Sequence, residues 1–231
     1  MYTLLVFIIC LRIIHSAELP KNINKCHFGD EECIKGSINQ LIKSYPKGIP
    51  SLNIKPFDDF RPSDLQLWDS PRVGGSFLKF RLVNQMISGC QNATVTRVSG
   101  FDEDPNRNKI EIELRIPRLI HRSTYQMQLR WLSMVQSNTS GPCYAEFQNV
   151  TLTLNLKVIV KFQKEKRYLK IYELMPQLEL GRFVLRLDDL YKENLDLTLA
   201  VNRAYNENWI ELWNDIEHNV LASYSQEGAQ L

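Results

Sequence analysis

Residue types that carry catalysis occur in this chain, but their spacing matches no catalytic motif. The segment most similar to a serine-nucleophile turn, Gly74-Gly75-Ser76-Phe77-Leu78, lacks the final glycine of G-x-S-x-G. Beyond the N-terminal segment the histidines are His27, His121 and His218, which are far apart and do not form the HExxH pair that binds zinc. No glycine-rich phosphate or dinucleotide loop is present. The sequence therefore predicts a protein that is not an enzyme and needs no cofactor.

The N-terminus has the pattern of a secretory signal. Tyr2–Ile14 is apolar except for one arginine and is followed by His15-Ser16-Ala17, a small-residue cleavage zone. This run is too short to cross a bilayer, and no later run of 18 apolar residues follows. We predict a signal peptide over residues 1–17 and a secreted, extracellular domain over residues 18–231. Three N-glycosylation sequons agree with secretion, at Asn92, Asn138 and Asn149.

Four cysteines remain after the predicted signal, an even number for an oxidising compartment. Cys26 and Cys33 enclose a short loop and are predicted to form a disulfide. The alternative is a metal site made by Cys26, His27 and Cys33, which offers only three ligands close in sequence. Cys90 and Cys143 are predicted to form a cross-strand disulfide, with two buried free thiols as the alternative.

The charged residues do not indicate a highly charged partner. Lysine and arginine total 28 against 26 acidic residues, and they are scattered along the chain. This balance gives no support for nucleic-acid binding or for a polybasic membrane patch, and stable membrane insertion is not expected. Glu111 and Glu113 alternate with apolar residues, so we interpret them as the solvated face of a strand rather than as catalytic carboxylates.

One long segment has the period of an amphipathic helix, and it must be covered along its length. Its apolar residues recur three or four positions apart, at Leu197, Val201, Ala204, Tyr205, Trp209, Leu212, Trp213, Ile216 and Val220. With Asn194 or Asp196 as the N-cap, one helix from Leu195 to Ala222 would be roughly 40 Å long. A shorter amphipathic helix is predicted over Ile34–Tyr45.

The rest of the chain alternates apolar and polar residues, as half-buried strands do. The alternation covers Leu78–Leu82, Val95–Val98, Ile110–Ile116, Tyr125–Trp131, Phe147–Phe162, Tyr168–Tyr172 and Phe183–Leu187. The polar segments DEDPNRN and SNTSGP are predicted to be loops between adjacent strands. An antiparallel sheet with one apolar face, wrapped around the long helix, is the simplest arrangement that buries both apolar surfaces. The predicted fold is α+β.

Several segments together resemble the insect takeout and juvenile-hormone-binding protein (JHBP) family. They are the N-terminal LP…KC…C with KGIPSLNIKPFDDF, the strands KIEIELRIPRL and NVTLTLNLKV, and DDLYKENLDLTLAVNRAYNENWIEL, in which Asn206–Trp209 is most diagnostic. The resemblance covers almost the whole mature chain. It implies a TULIP-type super-roll, in which a highly curved antiparallel sheet wraps a long C-terminal helix and leaves a hydrophobic tunnel. It also implies an extracellular carrier, in haemolymph-like fluid, of juvenile hormone, another terpenoid or a fatty acid.

The leading hypothesis is therefore a monomeric carrier, linked through its family to hormone transport and to circadian or feeding behaviour. An apolar tunnel would take up the ligand, and a few tyrosine or tryptophan groups would orient its polar end. The candidate ligand-binding residues are Tyr125, Met127, Leu129, Trp131, Tyr144, Phe147, Tyr205, Trp209 and Trp213. Two alternatives stay open: an interaction module for proteins or lipid surfaces without its own ligand, and an esterase, which the missing nucleophile motif disfavours.

Overall fold

Two very long strands form the centre of the structure. The computed structural model describes residues 19–70, 76–105, 107–131, 135–163 and 166–228, so the predicted signal peptide lies outside the described residues. The strands are β1 (Leu65–Asp69), β2 (Phe77–Ser88), β3 (Thr94–Ser99), β4 (Ile110–Trp131), β5 (Val135–Gln163), β6 (Lys166–Glu179) and β7 (Arg182–Leu187). The helices are α1 (Glu31–Ser44), α2 (Leu195–Glu207) and α3 (Trp209–Gly228), with short 3-10 turns at Pro50–Leu52 and Cys90–Asn92.

β4 and β5 pair along almost their whole length, from Ile110 opposite Leu156 to Trp131 opposite Val135. On the outer side of β4, β2 and β3 pair with different parts of the strand, and β6 and β7 do the same on the outer side of β5. Every pairing is antiparallel, and the main path runs β1-β2-β4-β5-β6. The predicted antiparallel sheet is therefore confirmed, and DEDPNRN lies between β3 and β4 as expected.

The sheet curls around α3. This helix contacts β1 and β6, which lie at opposite ends of the strand order, and also β7. The side-chain amide of Asn219 fixes α3 to β1 by donating to the carbonyl oxygen of Leu67 at 2.8 Å. Trp213, Ile216 and Val220 are buried in the main core that the sheet encloses. The α+β arrangement of a curved sheet around a C-terminal helix, with a short N-terminal helix, is confirmed.

The predicted single helix from Leu195 to Ala222 is interrupted at Asn208 and continues to Gly228. Asn194 caps its start by accepting a hydrogen bond from the Leu197 backbone at 2.9 Å. In an unbroken helix, the carbonyl of Asn206 would accept from the backbone N–H of Ile210. Here that carbonyl accepts from Arg182 Nη2 at 2.7 Å, and Asn208 leaves the helical conformation with φ −111° and ψ 41°.

The predicted loop SNTSGP is wrong, because Ser137–Pro142 lies within β5 and pairs with residues 124–129 of β4. Glycine and proline have another role at this point. A Cβ on Gly141 would lie 2.3 Å from the Asp188 carbonyl oxygen, so glycine admits the close approach of the chain that follows β7. The Pro142 carbonyl then accepts a hydrogen bond from the Asp188 backbone at 2.9 Å.

The predicted Cys90–Cys143 disulfide is also wrong, because both are free thiols. Cys90 lies in a 3-10 turn, two residues after Ser88, which pairs with Ile120 on β4. Cys143 belongs to β5, on the other side of β4, where it pairs with Ser123. The two cysteines are therefore two strand spacings apart, which amounts to about 10 Å. That separation exceeds the roughly 4.4–6.8 Å between Cα atoms that a disulfide allows.

α1 is fixed at its start by the Cys26–Cys33 disulfide and by Asp30, whose side chain accepts from the Cys33 backbone at 3.1 Å. The disulfide confirms the predicted pairing and leaves no thiolate for the alternative metal site. Among the described residues, no group of three or more His, Cys, Asp and Glu side chains is arranged to hold a metal ion. The apolar face of α1 packs in a second core, formed around Ile42, Val95 and Val98.

Asparagine amides on the helices bind the free edges of two short strands. Asn202 accepts from the Leu187 N–H at 2.8 Å and donates to the Leu187 carbonyl at 2.9 Å. One helical turn later, Asn206 does the same with Leu185, at 2.9 and 2.7 Å. Asn39 of α1 makes the equivalent pair of bonds with Val95 of β3. Each amide thus replaces a missing neighbouring strand.

Replacing Asn202 with leucine is expected to lower the free energy of unfolding by about 2–4 kcal/mol, since it leaves the buried N–H and C=O of Leu187 without partners. Chemical denaturation measures this loss. Arg203→Leu, at the exposed neighbouring position on α2, is the matched control and should change stability by less than about 0.5 kcal/mol. Equal denaturation midpoints for Asn202→Leu and the unaltered protein would contradict this role.

Candidate functional site

An apolar cavity of about 380 Å³ lies between α3 and the inner face of the sheet. The inner sides of β1, β2 and β7 contribute three residues each: Leu65, Leu67 and Trp68; Leu78, Phe80 and Leu82; Phe183, Leu185 and Leu187. α3 closes the other side with Leu212, Trp213, Asp215, Ile216 and Val220. Because most of these side chains are apolar, the cavity suits a molecule that is poorly soluble in water.

The structure brings together several of the predicted ligand-binding residues. Those that line the cavity are Met127 and Leu129 of β4, Phe147 of β5, Tyr205 of α2 and Trp213 of α3. Met127 and Leu129 lie on the same face of β4 because side chains alternate along a strand. Their contact with a ligand stays a prediction.

Two of the predicted tyrosines do not line the cavity. Tyr125 is fully buried, stacks on Phe80 at 5.7 Å and donates its hydroxyl proton to the Asp188 carbonyl at 2.9 Å. Its polar group is therefore used within the core. Tyr144 lies on the outer face of β5, where its hydroxyl donates to the Glu146 carboxylate at 2.7 Å and the Arg186 guanidinium covers its ring. Because side chains alternate along a strand, the Tyr144 side chain points away from the cavity that its neighbours on β5 line.

The helix break separates the roles of two predicted tryptophans. Trp213 lines the cavity, and its ring lies 5.7 Å from that of Phe147 and 5.6 Å from that of Phe183. Trp209 does not line the cavity. It packs on the edge of the core, with the Arg182 guanidinium 5.6 Å from its ring centroid. The side chain of Trp131 lies outside the described residues.

Sequence reasoning missed cavity residues on β1, β2, β4, β5, β7 and α3. The alternation of Leu78, Phe80 and Leu82 would have identified the β2 contribution, since these residues share one face. His121 is harder to predict because burial changes phase within β4. Ile110 and Ile116 are buried at even positions, whereas His121 and Tyr125 are buried at odd positions. Extending the clear alternation of the first half of β4 would have placed His121 on the outer face.

His121 is the buried polar group with the best-defined hydrogen bonding in the cavity wall. It is 4 % exposed, and its Nε2 lies 3.0 Å from Gln85 Oε1. The Gln85 amide nitrogen donates to the Ser63 carbonyl, so Oε1 must be the acceptor and His121 Nε2 must carry the proton. Burial lowers the pKa of His121 to about 4. At neutral pH the ring is therefore uncharged, and Nδ1 keeps a lone pair that can accept a hydrogen bond.

Cys143 is a second weakly polar group in the wall, opposite Ser123 in the β4–β5 ladder. Burial raises the pKa of the Cys143 thiol to about 11. The thiolate is therefore scarcely populated at neutral pH, and the thiol is a poor nucleophile. Cys143 thus acts as a small apolar residue with a weak S–H donor.

The buried neutral His121 should make stability depend on pH. Its unfolded pKa is near 6.5 and its folded pKa about 4. The unfolded chain therefore takes up the proton first, and the free energy of unfolding falls by about 2–3 kcal/mol as the pH drops through this window. His121→Gln removes this contribution, whereas carboxylates titrate in both proteins. Between pH 7 and pH 4, the unaltered protein should therefore lose about 2–3 kcal/mol more of its free energy of unfolding than His121→Gln loses. If the two stability curves were parallel over this range, His121 would not be buried in its neutral form.

The fold has a solved counterpart. The crystal structure of Epiphyas postvittana Takeout 1 matches with a TM-score of 0.73 and 17% sequence identity, covering 87% of this chain and 89% of that chain. The crystal structure of lipopolysaccharide binding protein matches with a TM-score of 0.36 and 12% identity, over 83% of this chain and 36% of that chain. No curated protein sequence matches the chain.

The curled sheet and the enclosed helix are the fold of the takeout structure, and the apolar cavity between them suits a lipophilic ligand. The sequence matches the family model of haemolymph juvenile hormone binding proteins (JHBP) over residues 3–228, and the chain belongs to this family. The takeout/JHBP resemblance in the sequence is thereby confirmed. Within the described part of the chain, no helix is both long enough and apolar enough to cross a membrane.

Proposed function

We propose that this chain is a secreted, monomeric carrier of one small, extended lipophile, either a terpenoid such as juvenile hormone or a fatty acid. The observation that carries this proposal is the apolar cavity between α3 and the curled sheet. Transfer of apolar surface from water into such a cavity contributes about 25 cal/mol per Å². The signal peptide at residues 1–17 would direct secretion, and residues 18–231 would form the single binding domain.

The size of the cavity limits the ligand. Pockets for small molecules typically measure about 300–1,000 Å³, and this cavity of about 380 Å³ lies near the lower end of that range. One short single-chain molecule fits this volume better than a diacyl lipid does. Both a terpenoid hormone and a single-chain fatty acid satisfy this limit, and the name of the family supports the hormone.

The polar groups in the wall give the ligand an orientation. His121 presents an acceptor, while Tyr205 carries a hydroxyl, so both kinds of hydrogen bond are available to one polar end. Burial raises the pKa of Tyr205, and its hydroxyl stays protonated at neutral pH. We infer that the apolar body of the ligand lies along Trp213 and the inner face of the sheet. Roles in hormone transport, circadian rhythm or feeding would follow from the identity of this ligand.

Fluorescence titration of the secreted protein with juvenile hormone, farnesol and oleic acid tests the proposal. Saturable quenching at one ligand per chain is expected with at least one of them. Trp68→Phe combined with Trp213→Phe should lose most of the quenching, whereas Trp209→Phe should retain it, because Trp68 and Trp213 line the cavity and Trp209 does not. Absence of saturable quenching with all three probes would contradict the proposal, as would equal loss in both variants.

Secretion has its own test in the three sequons. Asn92, Asn138 and Asn149 are all exposed in the structure, so the three sequons are accessible at the surface. Treating the protein from the medium of secreting cells with an N-glycosidase should lower its mass. Replacing each asparagine with glutamine in turn should remove one step of that decrease. A protein that stays inside the cells with an unchanged mass would contradict secretion and glycosylation together.

A further inference from the structure

The free end of the β5–β6 hairpin exposes an unusual number of large apolar side chains. Phe162 is 78 % exposed, and the side chains around it are 40–52 % exposed: Ile159, Tyr168, Leu169 and Tyr172. Single exposed apolar residues are common on protein surfaces, whereas a contiguous patch of this kind marks an interaction site. The patch is formed by neighbours in one ladder rather than by residues scattered over the surface.

The register of the hairpin shows how these residues are arranged. Residues directly opposite in an antiparallel pair share one face of the sheet. Val160 therefore lies beside Leu169 on one face, while Lys161 lies beside Tyr168 on the other. Each face of the hairpin end thus presents an apolar side chain, and lysine accompanies the tyrosine. Such an arrangement suits contact of both faces of the hairpin end with a lipid surface rather than packing of one face against another protein.

The hairpin end is also strongly basic. Residues 158–172 contain five basic residues, Lys161, Lys164, Lys166, Arg167 and Lys170, and one acidic residue, Glu165. The formal net charge of the whole chain is only +2, so the remainder of the chain has a net charge of −2. Further from the tip, Lys157 pairs with Glu173 at 2.8 Å, whereas Lys161 and Lys170 form no ion pair among the described residues.

Protection of a sheet edge explains only part of this pattern. Lysines on edge strands prevent association with other sheets. An exposed phenylalanine and leucine at the same edge have the opposite effect, since they favour association. Aromatic side chains combined with lysine are instead typical of segments that lie at the membrane interface, where the rings enter the headgroup layer and the ammonium groups contact anionic lipids.

We propose that the end of the β5–β6 hairpin docks the protein on the surface of an anionic membrane. Phe162, Tyr168 and Leu169 enter the interface, and Lys161 and Lys170 contact the negative headgroups. Phe162 lies fifteen residues further along β5 than the cavity residue Phe147, which places the docking site away from the ligand cavity. Docking and ligand binding can therefore be tested separately.

Flotation of the full secreted protein with lipid vesicles tests the proposal. The protein should float with vesicles of phosphatidylcholine and phosphatidylserine, stay unbound with phosphatidylcholine alone, and dissociate as the salt concentration rises. Each basic residue near an anionic surface contributes about 1 kcal/mol, so Lys161→Glu with Lys170→Glu should weaken binding at least about twentyfold. Phe162→Ser should weaken it about tenfold through the lost apolar burial.

Lys192→Glu with Arg203→Glu is the matched control, since it changes the same charge at exposed positions distant from the hairpin end. This control should keep vesicle binding within about threefold of the unaltered protein, because charges beyond a Debye length are largely screened. Equal losses in the two double variants would reveal nonspecific electrostatic attraction and overturn the proposal. Binding to neutral vesicles alone, or no binding to either vesicle, would also overturn it. Unchanged terpenoid or fatty-acid titrations and unchanged melting curves should accompany all five substitutions, because the positions are exposed.

Discussion

Replacing Trp213 with alanine is expected to lower the free energy of unfolding by about 3–5 kcal/mol, the range for removal of a large buried aromatic side chain. Trp213 is 6 % exposed and contacts the rings of Phe147 and Phe183 across the enclosed core. The surrounding wall is a curled sheet held by long ladders, so it cannot collapse into the space that the indole leaves. Chemical denaturation followed by circular dichroism measures this loss.

Trp209 is the matched control, since it is one turn earlier and of the same residue type. It is only partly buried and packs at the edge of the core beneath Arg182. Trp209→Ala should therefore cost about 1–2 kcal/mol, from partial apolar burial and a cation–π contact. If the two variants were equally destabilised, the helix interruption at Asn208 would not separate their environments as described.

Replacing Ala145 with phenylalanine is expected to weaken ligand binding at least about a hundredfold, because the new ring would occupy the space in which the ligand lies. Ala145 is 3 % exposed on the inner face of β5 and lines the cavity. The same substitution should lower stability by no more than about 1–3 kcal/mol, since the ring enters a cavity rather than a closed core. Titration with the lipophile that quenches the unaltered protein measures the loss of affinity.

The control for this substitution is Ala204→Phe, which places the same side chain at an exposed position on α2. Its affinity for the lipophile should stay within about threefold of the unaltered protein, as expected for a surface change. Full affinity in Ala145→Phe, combined with a normal melting curve, would show that the ligand binds elsewhere.

Local patterns predicted those parts of the fold that depend on neighbouring residues. The alternation of Ile110–Ile116 predicted part of a strand, and Asn194 was among the predicted helix caps, because pleat and capping are short-range effects. The interruption at Asn208 could not be predicted in this way. It accompanies a hydrogen bond from Arg182, which lies 24 residues away in sequence, to the Asn206 carbonyl.

Glycine and proline misled the strand prediction for a similar reason. Gly141-Pro142 has the composition of a turn, yet the glycine is required where the chain at Asp188 runs close beside β5. Only the tertiary arrangement reveals this close approach. The same holds for Cys90 and Cys143, which both belong to strand-rich sequence but are separated by the width of β4.

In the candidate site, too, local sequence patterns predict some of the residues and only the tertiary arrangement reveals the others. Met127 and Leu129 were predicted from alternation, and they line the cavity. Tyr144 was selected for its hydroxyl, although it belongs to the opposite face of β5. His121 was not selected, because the buried face of β4 changes between Ile116 and His121. Residue chemistry suggests which groups can bind a ligand, whereas the phase of each long strand decides which of them face the cavity.

The central claim is that the cavity holds one lipophile, and native mass spectrometry of the gently purified, secreted protein tests it most directly. The predicted spectrum shows one small molecule bound per chain, which organic extraction releases as a terpenoid or fatty acid. The Ala145→Phe variant, purified in the same way, should be empty. A folded, unaltered protein that carries no lipophile from its native source and takes up none when terpenoids or fatty acids are added would contradict the claim.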